Sequence, residues 1–277
     1  MPSNPSVQKP QLLEFAGVFR GHELTRKDRR LSSGLAPLDD LIDGGIPRGR
    51  ISEITGRAGS GKTSLAASFA KSATHRGEVA AWLDASGTFD PESMAAAGVE
   101  LRRMLWASMT TATRMPRDAT SPLARRQSAI IKAAELVLEA GGFGLVVLDF
   151  GEAPRALTHA SALRIARAAE RSGAAVIALA PWRMCGTFAA LSLATSRAET
   201  SFSQTAPGAP VTFDGLTVLA MLARNKMGGT GRRVRVRALI DPIEATELTD
   251  LDLPNSDLPN SDLPDFATRA GNRAWRS

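Results

Sequence analysis

Gly56-Arg57-Ala58-Gly59-Ser60-Gly61-Lys62-Thr63 is the stretch on which the reading of this chain turns. It is a complete G-x-x-x-x-G-K-[ST] phosphate loop with fitting flanks. Ile51-Ser52-Glu53-Ile54-Thr55 alternates like a short strand, and Ser64 to Ala70 reads as the helix that follows. Such glycines let backbone N–H groups turn inward around phosphates, and the helix N-terminus adds its positive end. Gly56 through Ser64 are therefore the expected nucleotide-binding residues. Lys62 is expected to reach the β/γ-phosphates and Thr63 to hold Mg²⁺, which makes ATP or ADP with Mg²⁺ the expected ligand.

Outward from the loop, apolar strands alternate with Ala-rich helices, as a mostly parallel sheet covered on both faces requires. The clearest strands are Val79–Asp84, Gly144–Asp149 and Ala174–Leu179. Asp149, at the end of Leu145-Val146-Val147-Leu148, stands where a second Mg²⁺-associated acid belongs beside the loop. Leu216–Leu222 and Arg233–Arg237 read as a strand pair joined by Gly228-Gly229-Thr230-Gly231. The expected fold class is α/β, a P-loop NTPase core whose central, mostly parallel sheet is flanked by helices.

Three regions are expected in the 277 residues: an N-terminal segment and basic linker (1–30), the nucleotide-binding core (31–247), and a disordered tail (248–277). In the tail Asp-Leu-Pro-Asn-Ser is repeated from Asp252 and from Asp257, and proline at that spacing sustains neither a helix nor a central strand. The chain ends in a basic tip bearing Trp275; a solvated linker and a partner-binding peptide are both compatible with it. One cysteine, Cys185, excludes an internal disulfide and reads as a packed thiol. With no apolar leader and no membrane-length apolar run, a cytoplasmic, nucleoid-associated protein without membrane contact is expected. The formal charge of +6 favours nucleic acid or an acidic partner, or else is spread over a solvated surface. The histidines His22, His75 and His159 show no metal-ligand spacing, so no structural metal site is expected.

From about Leu31 to Leu239 the chain resembles the RecA-family recombinase core. The resemblance is carried by Leu31–Asp39, by Gly44–Ile54 leading into the phosphate loop, by Trp82-Leu83-Asp84-Ala85 with Phe89-Asp90-Pro91-Glu92, and by Ala223-Arg224-Asn225-Lys226. It implies an adenine contact at Asp90. At Arg224 and Lys226 it implies residues that in filaments reach a neighbour's γ-phosphate; two cations beside a turn are the alternative, and self-association stays open.

Several departures from that pattern bear on function. The family's water-polarising glutamate is matched by Ser86, a poor general base, and nothing in the spacing recommends Glu92 as a substitute. No catalytic residue is therefore assigned, and at most weak ATPase activity is expected. The loops that bind single-stranded DNA look short, and Pro181 replaces the glutamine that senses the γ-phosphate. Gly17–Leu24 resembles the segment preceding the core in ImuA proteins, RecA-like accessory factors of mutagenic (SOS) translesion synthesis. That resemblance implies as partners an ImuB-like Y-family-type protein and an error-prone replicative-type polymerase, together with non-specific DNA. An active DNA-dependent ATPase of recombinational repair and a SulA-like cell-division inhibitor are the alternatives, the latter opposed by the intact phosphate loop.

Arg233, Arg235 and Arg237 alternate with Val234 and Val236, so the guanidinium groups should share one strand face, as a surface for phosphate or an acidic protein or as a charge-protected edge. Arg114, Arg117, Arg125 and Arg126 are expected in a surface loop. Trp82, Trp106 and Trp182 are expected at the core or its rim.

Overall fold

The computed structural model describes residues 30–109, 121–204 and 210–239. The expected N-terminal segment with Gly17–Leu24, residues Arg114 and Arg117, and the repeat tail with Trp275 lie outside these residues.

In chain order the elements are β1 (Arg30–Leu31), α1 (Ala36–Leu41), β2 (Ile46–Pro47), β3 (Ile51–Thr55), α2 (Lys62–His75), β4 (Val79–Asp84), α3 (Pro91–Ala96) and β5 (Met104–Ser108). There follow α4 (Pro122–Ala140), β6 (Phe143–Asp149), α5 (His159–Ser172), β7 (Ala175–Ala180), β8 (Ala189–Ser203), β9 (Thr212–Asn225) and β10 (Arg233–Leu239). Arg125 and Arg126 therefore belong to helix α4 rather than to a loop. Ser121 caps that helix through the Ala124 N–H, and Pro122 occupies its first turn, where a missing N–H costs nothing.

The main sheet has eight strands in the order β10-β9-β8-β3-β7-β6-β4-β5. From β8 to β5 the neighbours are parallel, and β9 and β10 add antiparallel at the other edge. Alternating side chains of the central strands feed two apolar cores. Ile54, Leu145, Val147 and Ile177 pack with Leu65 and Phe69 of α2, while Ile51, Val146, Leu148 and Val176 pack with Ile130 of α4 and Ile165 of α5. Burial on both faces explains why these strands read as continuous apolar runs.

Strand β8 was not anticipated. It is fifteen residues long, pairs with β3 over Ala189–Ala194 and with the fourteen-residue β9 over Leu191–Ser203, and extends the sheet on the side away from β7. Along β10, Arg233 and Arg237 are exposed and Arg235 half-buried, whereas Val236 is buried and Val234 half-buried. The arginines thus share the more open face. Trp82 is fully buried, and Trp106 and Trp182 lie at the rim, 44% and 40% exposed.

Candidate functional site

Parallel strands direct their C-terminal ends to one rim of the sheet, and the phosphate loop sits there between β3 and α2. Close packing beneath the loop explains its glycines. A Cβ on Gly56 would lie 2.3 Å from Ser60 Oγ and 2.4 Å from Thr195 Oγ1. Gly61, the residue before α2, has φ 84°, and a Cβ there would meet a Val218 methyl at 2.1 Å. The Ser60 and Thr195 hydroxyls share a 2.8 Å hydrogen bond, and Thr195 donates to the Thr55 carbonyl at 3.0 Å. Strands β8 and β9 therefore form the floor of the loop. Above that floor Arg57, Ala58, Gly59 and Thr63 are exposed and Ser64 half-buried, at the N-terminal end of a fourteen-residue helix.

Lys62 is buried, and its ammonium donates to the carboxylate of Glu152 and, at 3.5 Å, to the Arg57 carbonyl. Loop N–H groups, this ammonium and the Thr63 hydroxyl match a phosphate chain with a bound cation.

Asp149 ends β6 directly opposite Asp84 at the end of β4. Burial, and less strongly the Asp84 and Glu152 charges, push its carboxyl up to about 6, against the opposing effects of the Gly151 N–H and Lys62. A raised folded-state value means that the folded chain keeps a proton which the unfolded chain releases near pH 4. Stability from this group is therefore full below that pH and is lost as pH rises through 6. Two pH units correspond to about 3 kcal/mol. Asp149→Asn is expected to stabilise the ligand-free protein by about 2–3 kcal/mol at pH 7 and to change little at pH 4. Urea unfolding of both proteins at both pH values measures this; equal stability at pH 7 would contradict the electrostatic picture.

Ser86 is committed elsewhere. Its hydroxyl donates to Asp84 Oδ1 at 2.7 Å and pairs with the Thr88 hydroxyl at 2.6 Å. Asp84, fully buried, also accepts from the N–H groups of Ser86, Gly87 and Phe89, so it organises this turn. Asp90 caps α3, accepting from the Ser93 hydroxyl and from the Ser93 and Glu92 N–H groups. These bonds, led by the Ser93 hydroxyl, hold its carboxyl below the usual range. Glu92 is exposed in the first turn of α3.

On the other side of β3, Glu53 is a buried carboxylate inside an apolar strand. One oxygen accepts from the Met184 and Cys185 N–H groups at 2.7 Å each; the other accepts from Ser192 Oγ at 2.8 Å and lies 3.7 Å from Arg183 Nε. Glu53 thus pins the connection between β7 and β8, residues 181–188, against the sheet. Arg224 and Lys226 brace the same connection by donating to the Gly186 and Thr187 carbonyls. Cys185 is buried beside Glu53, and burial raises its thiol, with the Glu53 charge adding to the shift.

The structure gathers Gly56–Ser64 and Asp149 at one rim. Asp90 is engaged as a helix cap, Arg224 and Lys226 hold a loop of their own chain, and the β10 arginines lie on the antiparallel extension. Sequence reading missed Glu53, Glu152 and Thr195. A charge within an apolar strand was the available signal for Glu53; Thr195 and Glu152 become visible only through contacts between distant segments.

Residues 18–115 match the RecA N-terminal domain. RecA from Thermosynechococcus vestitus is 40% identical over 118 residues, covering 38% of this chain and 33% of that protein. RecA from Clostridioides difficile is 32% identical over 120 residues, covering 43% and 30%. The chain spans about a third of the length of these curated relatives. The crystal structure of the RadB recombinase superposes with a TM-score of 0.53 at 20% identity, covering 78% of this chain and all of that one. The chain carries a RecA-like core, and its fold is that of the RecA/RadB recombinases.

Proposed function

We propose that this RecA-like core is a nucleotide-binding accessory protein of SOS-type mutagenic translesion DNA synthesis, similar to ImuA. In this reading it binds ATP or ADP with Mg²⁺ through Gly56–Ser64, with Thr63 and Asp149 at the cation, and hydrolyses ATP slowly. It acts in the cytoplasm, at the nucleoid, by holding together an ImuB-like Y-family-type protein, an error-prone replicative-type polymerase and DNA.

One observation carries the reading: a fully formed phosphate loop coexists with a Ser86 hydroxyl spent on Asp84 and Thr88. Nucleotide binding is supported while the usual place for a water-polarising acid is filled by a turn-forming serine. The pinned connection at 181–188 also leaves little chain for a mobile DNA-binding loop, which argues against strand exchange. DNA contact is assigned instead to surplus arginines such as Arg233, Arg235 and Arg237, whose phosphate contacts bring affinity without sequence preference.

The test is capture of the ImuB-like partner by the full chain and by a chain ending at Leu248. Truncation is expected to leave ADP affinity intact and to weaken capture about tenfold or more, as loss of a docking peptide does. Unchanged capture would move the contact to the core, with the β10 arginine face as the next surface to substitute. Absence of capture by either form would remove the accessory role.

A further inference from the structure

The ammonium of Lys62 has a carboxylate partner that no part of the phosphate-loop motif requires. Glu152 sits three positions after Asp149, on the connection from β6 to α5, and its carboxylate contacts Lys62 Nζ directly. Lys62 is almost wholly enclosed, its side chain 8% exposed, whereas the Glu152 side chain is 49% exposed. The acid therefore approaches the phosphate site from the solvent side.

The surroundings explain how it reaches that position. Ser86 lies against the same connection: a Cβ on Gly151 would stand 3.0 Å from Ser86 Cβ. A small residue at 86 and no side chain at 151 let the β6 connection close over the end of β4, and the Gly151 N–H bond to Asp149 Oδ1 at 3.0 Å fixes its turn. The next residue is Glu152. Asp84 and Asp149 are buried, and Asp84 is saturated by the N–H groups of its own turn. Among the described residues Glu152 is thus the acid that both touches the phosphate-binding lysine and remains open to water.

We propose that Glu152 is the water-polarising carboxylate of this protein, the acid having moved from the end of β4 to the connection after β6. This rests on the nucleotide-binding reading above. Phosphates arriving at Lys62 replace its carboxylate partner, leaving the Glu152 carboxylate free beside the terminal phosphate. It accepts a proton from water as the water oxygen bonds to the γ-phosphorus. The bond from that phosphorus to the β–γ bridging oxygen breaks, ADP leaves with the electron pair, and phosphate is the second product. An acid carried on a half-exposed connection is held less firmly than one at a strand end, which fits the slow hydrolysis proposed above.

The experiment uses the full chain and its Glu152→Gln and Glu152→Asp variants, with Mg-ADP affinity by calorimetry and single-turnover hydrolysis of labelled ATP. Gln keeps an acceptor for Lys62 and cannot take a proton. It is expected to bind ADP as tightly as the natural chain or more tightly, and to hydrolyse at least about 100-fold more slowly. Asp, which keeps the carboxylate on a shorter stem, is expected to fall between. Hydrolysis by the Gln variant at the natural rate would overturn the proposal, and a gain in ADP affinity alongside it would reduce Glu152 to a counter-ion of Lys62. A natural chain that binds ATP and never turns it over would overturn it equally. A natural chain that fails to bind ADP would overturn the nucleotide-binding reading itself.

Discussion

Lys62→Ala is expected to abolish measurable nucleotide binding at micromolar concentrations while leaving the melting temperature of the ligand-free protein nearly unchanged. Hydrogen bonds to charged groups contribute about 1.5–3 kcal/mol each, and an ammonium shared between two phosphates makes two of them. Their loss weakens binding by about 3–6 kcal/mol, or roughly 10²- to 10⁴-fold. The fold tolerates the change because Glu152, the carboxylate left behind, is half-exposed and returns to water. Calorimetric titration with Mg-ADP and a thermal melt of both proteins make the measurement. Equal affinity would remove the phosphate loop from the binding site, and a collapsed melt would show that the Lys62–Glu152 pair serves stability first.

Glu53→Ala is expected to cost about 3–5 kcal/mol of folding stability, because deleting one member of a buried charged cluster strands its partners. The Met184 and Cys185 N–H groups and the Ser192 hydroxyl would lose their acceptor in a site that water does not reach, and Arg183 would lose its counter-charge. Glu53→Gln should be far milder: an amide oxygen still accepts from both N–H groups, and the amide nitrogen can turn toward Ser192. Urea unfolding gives the stability difference, and the emission of Trp182, on the pinned connection, reports whether residues 181–188 have come loose. A small loss for Ala would mean that the connection is held by something other than Glu53.

The sequence was most legible where one local pattern sufficed. The loop motif with its flanking strand and helix, the strands β4, β6 and β7, and the β9–β10 pair all announced themselves through apolar runs or turn glycines, to within a residue or two for the central strands. Strand β8 escaped because its second half, Ser196 to Ser203, is largely exposed and polar and takes its form from pairing with β9. Asp90 shows another limit: the same aspartate before a proline suits a base contact or a helix cap, and the Ser93 and Glu92 N–H groups that engage it are cap donors. For Glu53 and Glu152 the residue type was visible, but the partners lie far along the chain, and only the folded topology brings them within hydrogen-bond reach.

The floor built by Thr195 and Val218 bears on the entropy of binding. Many anion-binding loops lose motion when their ligand arrives, and that lost freedom is subtracted from affinity. Here Ser60 is held by Thr195 and Gly61 by contact with Val218, so residues of the chain itself constrain the loop. The conformational freedom of these residues was surrendered during folding, when β8 and β9 closed against β3. On the proposed nucleotide-binding reading, association with this loop is expected to be a docking event rather than a local folding event.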